Sequence, residues 1–206
     1  MMRTSEKQVD ARDRRQLTDS KREKIRQVII NLFADALFHD VGIRDICARA
    51  EVTPKTIYKH FGNKETLLIS AIASDMARLT QDMEDAATGI GSTTDRLEAV
   101  TRAFISFYFD NLPVARIVFL NIPSAYFVSQ PAFIQRGQLD IMADLIKEGQ
   151  REGSIRKDVE ASELVEAVAG IAMRSMFRLL TSPDPMPSAD AASTRMAHLV
   201  RPLLVS

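Results

Sequence analysis

The sequence predicts an all-α fold: a small N-terminal unit of three helices that includes a helix-turn-helix, followed by a larger helical C-terminal part. Three observations carry this. Apolar residues recur at three- and four-residue intervals in one segment after another, giving each an apolar helical face. No segment shows a convincing two-residue alternation. Helix-opening and helix-closing residues punctuate the segments where the apolar stripes begin and end. The chain has 206 residues, 46% hydrophobic and 26% charged, enough for a packed core and too apolar for wholesale disorder.

Residues 1–19 are polar and carry Arg3, Lys7, Arg12, Arg14 and Arg15, and are expected to form a flexible basic tail. Ser20 and Glu23 have the spacing of a capping box. Ile25, Val28, Ile29, Leu32, Phe33, Ala36 and Leu37 then line one face of a first helix. Ile43, Ile46, Cys47 and Ala50 give a short second helix, broken at Glu51-Val52. Thr53 is a good N-cap and Pro54 suits the first helical position, so a third helix runs to Phe61 and stops at Gly62. Asn63 caps a fourth helix, whose Leu68, Ile72, Met76, Leu79 and Met83 keep the helical period through Ala86.

Residues 88–93 read as a loop. Residues 94–111 read as an aromatic-rich helix. Pro113 can open another, with Pro123 and Pro131 as stops. The run 114–122 is ambiguous, because a short apolar stretch does not separate strand from buried helix. A long amphipathic helix is expected over residues 132–151, another over 160–181, and a last one capped by Ser188 and bent or ended by Pro202.

Helices two and three are short, half apolar and joined by about three residues, which is a helix-turn-helix arrangement. In the third, only Ile57 and Phe61 must point inward. Lys55, Thr56, Tyr58, Lys59 and His60 leave the rest polar. A two-turn helix this polar gains little from burial inside its own chain. It makes sense against a partner, and its lysines favour a polyanion such as the DNA backbone.

The segment Phe33 to Leu67, FADALFHDVGIRDICARAEVTPKTIYKHFGNKETL, resembles the N-terminal domain of TetR-family transcriptional regulators. The resemblance rests on the Ile46-Cys47-Ala48-Arg49-Ala50 helix, the turn ending Val52-Thr53, Thr56-Ile57-Tyr58, His60-Phe61, and Asn63-Lys64-Glu65 followed by Leu67. It is sharp over about residues 21–72 and architectural beyond. Leu37 departs from the family pattern, standing where a glycine often ends the first helix. Val41-Gly42 stand where hydroxyl residues often cap the second. Glu51 replaces the usual turn glycine, which requires either a positive φ or a different turn.

The resemblance implies a DNA-binding domain over residues 20–66 and a helical ligand-binding and dimerisation domain over 67–206. It makes Lys55, Thr56 and Lys59 candidates for base or groove contacts, and Tyr58 and His60 for phosphate contacts. Thr53, Pro54 and Lys64 sit at helix N-termini, where amides and dipole favour phosphate. Arg44 is placed to reach the backbone. Arg12, Arg14, Arg15, Lys21 and Arg22 could lie along DNA or in its minor groove.

A formal charge of zero argues against nucleic acid only if it is evenly spread. Residues 1–70 hold 14 Lys and Arg against 10 Asp and Glu, a net +4, and the remainder holds 13 against 17, a net −4.

Eight of the 13 aromatic residues lie between Phe104 and Phe133. Phe104, Phe107, Tyr108, Phe119, Tyr126, Phe127, Met142, Met173, Arg174 and Phe177 are the candidate ligand pocket, set against core packing, which is what an aromatic and methionine stripe usually is. Arg174 and Arg178, on an otherwise apolar helix, either surface at an edge, meet an acid such as Glu166 or Asp110, or bind an anionic effector.

No catalytic residue, cofactor or metal is expected. Gly89-x-Gly91 has Thr94 where a dinucleotide loop needs a third glycine. His39, His60 and His198 are isolated, and Cys47 reads as a small buried hydrophobe. A polar N-terminus, a single cysteine and the lack of any apolar run near the roughly 20 residues of a membrane span point to the cytoplasm. What the resemblance implies is a homodimer, joined through the last two helices, that reads a palindromic operator in double-stranded DNA. It would act as a repressor released by an unknown small molecule. An activator, a regulator without effector and an all-α ligand-binding protein are the alternatives.

Overall fold

The computed structural model describes residues 18–122 and 135–205, and among these there is no strand. The elements are α1 (Asp19–Asp35), α2 (Ile43–Ala50), α3 (Pro54–Phe61), α4 (Lys64–Ala87), α5 (Thr93–Asp110) and α6 (Leu112–Arg116). A π-helical turn (Ile117–Asn121) follows, then α7 (Gln135–Glu152), α8 (Ala161–Thr181) and α9 (Ala189–Leu204).

The run of uncertain type, 114–122, is helical through Asn121, continuing α6 into the π-turn, and Ile122 leaves it extended. The first cap also differs from expectation. Thr18, not Ser20, caps α1, accepting from the Lys21 amide at 3.3 Å. Starting two residues earlier puts Asp19 in the first turn, where its charge meets the positive end of the helix dipole. Glu23 is then free of any capping role and accepts instead from Arg26 and Gln27. Ser92 and Asp95 form the capping box that opens α5, one residue before the expected start. Pro202 lies inside α9, which ends two residues later at Leu204.

Ile25, Ile29, Phe33, Ile46, Ile57 and Leu67 are fully buried where α1, α2, α3 and the start of α4 meet. Each such side chain contributes about 1.5–3 kcal/mol. Behind this head, α4 packs on α5 and α7, α5 on α7 and α9, and α8 on α7 and α9. A boundary at residues 66 and 67 falls within the first turn of α4, whose one continuous helix packs on both parts.

Two contacts tie head to body. Across α1 and α4, the Arg26 guanidinium pairs with Asp75, both largely buried, and with Glu23. At the other end of α1, Asn121 of the π-turn donates through Nδ2 to the carbonyls of Phe33 (2.7 Å) and Ala34 (3.1 Å). Its own carbonyl accepts from the Phe38 amide at 3.1 Å.

Cys47 is buried, and desolvation pushes its thiol above the ordinary range, the opposite of what a reactive thiolate needs. Among the described residues no single helix is long and apolar enough to cross a membrane.

Candidate functional site

The two halves of the helix-turn-helix are built by short-range devices. α2 ends at Glu51, which adopts the left-handed conformation (φ 56°, ψ 45°). Its carboxylate is held by Lys24 Nζ at 2.5 Å, which keeps it below the usual carboxylate range. Thr53 Oγ1 accepts from the Thr56 amide at 3.3 Å and Pro54 opens α3. Gly62 closes α3 at φ 75°, donating to the Tyr58 carbonyl. A Cβ at Gly62 would also come 2.7 Å from Thr66 Oγ1.

Within α3, Ile57 is fully buried and Phe61 half-buried, which fixes the rotation of the helix. Lys55, Tyr58 and Lys59 consequently lie on its exposed side, with Tyr58 56% exposed. Positions 55, 58 and 59 share one face by helical geometry. Thr56 and His60 flank that face and are half-buried, while Thr53 and Pro54 are exposed at the N-terminus. Arg44 is exposed on α2, and so is Arg49 in its last turn, a cation that sequence reasoning did not single out.

Lys64 differs from its neighbours. It opens α4 and is half-buried, with its ammonium 4.5 Å from the Phe38 ring centre and 5.9 Å from that of Phe33. Desolvation lowers its pKa. The side chain is thus held by cation–π contact over the head's core. Lys21 and Arg22 are exposed in the first turn of α1, and the tail residues Arg12, Arg14 and Arg15 lie outside the described residues.

The candidate pocket residues that are described separate into three groups. Phe104, Phe119, Met142 and Met173 line a narrow apolar cleft between α4, α5, the π-turn, α7, α8 and α9, with an interior volume of about 60 Å³. Phe107 and Tyr108 lie outside it. Tyr108 is buried behind the cleft in edge contact with Phe104 and Phe119, and burial pushes its phenol far above its ordinary value. Phe107 packs under the Arg78 guanidinium. They pack as core because both meet α4: Phe107 lies against Arg78, and the Tyr108 hydroxyl donates to Met76 Sδ at 3.8 Å. Arg174 and Phe177 also lie outside the cleft, on the exposed side of α8, where the guanidinium sits 5.4 Å from the ring centre. Arg178 is exposed on the same side, so both arginines surface. Tyr126 and Phe127 fall outside the described residues.

Sequence reasoning missed Gln138, which stands in the cleft wall beside Leu139 and Met142. A lone amide on the apolar face of α7 was the available signal.

Comparison with known proteins adds to this geometry. Residues 25–71 match the family model described as bacterial regulatory proteins, tetR family. The fatty acid metabolism regulator protein of Bacillus subtilis is 25% identical over 145 residues, covering 68% of this chain and 75% of that protein. The fold is similar to that of the fatty acid degradation regulator FadR from Bacillus halodurans, with a TM-score of 0.77 at 17% identity, over 90% of this chain and 96% of the other. It is also similar to FadR from Bacillus subtilis in complex with stearoyl-CoA, with a TM-score of 0.73 at 20% identity, over 87% and 97% of the two chains.

Proposed function

The chain is a TetR-family transcriptional regulator, a DNA-binding protein with a small-molecule effector, and on that premise we propose that it is a homodimeric repressor released by a long-chain acyl thioester. The observation that carries the DNA-binding half is α3, whose one buried anchor, Ile57, leaves Lys55, Tyr58 and Lys59 exposed together. Such a helix enters the major groove, lysines toward phosphate or base edges, with the exposed N-terminus of α3 adding amide donors for a phosphate.

The dimer is supported by apolar side chains left uncovered on the last two helices. Leu199 of α9 is 51% exposed, and Met173 and Phe177 of α8 are each 44% exposed. Gly170, one turn before Met173 and Arg174, has open space where a Cβ would stand, leaving room for close approach of a second helix. Two copies joined there present two recognition helices, which read a palindrome when about 34–36 Å or a multiple apart.

The effector reading rests on the cleft's apolar walls and on the FadR likeness. Phe119 lines the cleft and belongs to the same π-turn as Asn121, which clasps the end of α1. An acyl chain that displaces Phe119 shifts the π-turn, and Asn121 carries the shift to the head. The ligand then favours the form whose recognition helices miss the half-site spacing.

Fluorescence anisotropy with the DNA upstream of the protein's own gene tests this reading. Binding is expected to saturate, to weaken linearly in log–log fashion with salt, and to be reversed by stearoyl-CoA. Absence of binding at low salt overturns it.

A further inference from the structure

The cleft is apolar almost throughout, with Phe104, Phe119, Met142, Val168 and Met196 among its walls. Two polar side chains interrupt it. Thr101 has spent its hydroxyl proton on the Leu97 carbonyl at 2.9 Å. Gln138 is only 5% exposed, and its Nε2 is buried with no hydrogen-bond acceptor among the described residues. A buried donor without an acceptor is costly, and leucine or methionine would fill the same position in α7 without that penalty.

From this donor, and resting on the reading of the cleft as the acyl site, we infer that Gln138 is the residue that recognises the effector's acyl carbonyl, donating from Nε2 to its oxygen. Among the described residues lining the cleft there is no cation. A carboxylate brought here would be desolvated without a counter-charge, whereas a neutral carbonyl requires only a neutral donor. Gln138 thus selects a long-chain acyl thioester over the free acid, and the amide that is unsatisfied in the empty protein is satisfied in the loaded one.

The experiment is isothermal titration calorimetry of the full chain with stearoyl-CoA, with S-octadecyl-CoA, the thioether lacking only the carbonyl oxygen, and with stearate. The wild type is expected to bind the thioester about tenfold more tightly than the thioether, as one well-made buried hydrogen bond allows. Gln138→Leu and Gln138→Met are expected to bind both with similar affinity and to melt no lower than the wild type in the absence of ligand. The inference is overturned if the wild type does not discriminate or prefers stearate. It is also overturned if both variants keep the preference, or if they lose thermal stability as they would had the amide been paired. If none of the probes binds, the acyl reading itself is what fails, and this inference goes with it.

Discussion

Asn121 is where the proposed signal crosses from the body to the head, and its replacement by alanine separates structure from signalling. One amide group makes two hydrogen bonds, at 2.7 and 3.1 Å, to carbonyls at the end of α1. The residues owning those carbonyls, Phe33 and Ala34, are buried, so water replaces the amide poorly. Stranding buried acceptors costs about 1–3 kcal/mol, and about 2 kcal/mol is expected here. With a denaturant slope of about 2 kcal/mol per molar urea, the unfolding midpoint falls by about 1 M. The backbone bond from the Phe38 amide to the Asn121 carbonyl remains, so the head stays attached and operator affinity without ligand changes little. The response to ligand does not survive: the concentration of stearoyl-CoA that halves operator binding rises at least fivefold in the anisotropy assay. Asn121→Asp, which keeps the volume but turns a donor into a charged acceptor, is expected to be worse on both counts. A stability loss below about 0.5 kcal/mol, or an undiminished response to stearoyl-CoA in the alanine variant, excludes this route for the signal.

Three further variants probe other parts of the molecule. Glu51→Gly removes a side chain from the left-handed conformation that glycine adopts without strain, and loses only an exposed ion pair to Lys24. Its Tm by circular dichroism is expected to rise by about 2–4 °C. Tyr108 is neutral in the fold because burial raises its pKa, whereas in the unfolded chain it ionises near 10. Its contribution to stability is complete below that pH and declines above it, by up to about 1.4 kcal/mol per pH unit, so Tyr108→Phe is expected to flatten the alkaline arm of a pH–stability curve from urea melts. Leu199→Glu puts a charge on the proposed dimer face, and light scattering is expected to find a 23.0 kDa monomer in place of a species of twice that mass. A persistent dimer argues for another interface.

The helix-turn-helix was legible because its determinants are local. The Thr53-Pro54 opening, the Ile57 and Phe61 pair and the Gly62 stop all act within a few residues of one another. Glu51 in place of a turn glycine left two options, a positive φ or a different turn, and the structure takes the positive φ. At the start of α1 the local pattern misled: Ser20 has capping-box spacing to Glu23, yet Thr18 is the cap, and the helix gains Asp19 in its first turn. The body was less legible. Phe104 and Phe119 face the cleft while Phe107 and Tyr108 do not, and that sorting depends on how α4, α5 and α7 meet. The Asn121 contact spans 88 residues of sequence, and nothing near Asn121 announces it.

That the outer face of α3 holds DNA is tested most directly by operator binding of the double variant Lys55→Ala, Lys59→Ala, with helical content and assembly size followed in parallel. Specific binding is expected to be abolished, and the salt slope of the residual binding to fall by about one for each phosphate that the variant leaves unneutralised. The circular dichroism spectrum and the mass in solution are expected to match the wild type. A folded double variant that binds the operator as tightly as the wild type contradicts the assignment of α3 as the DNA-reading helix.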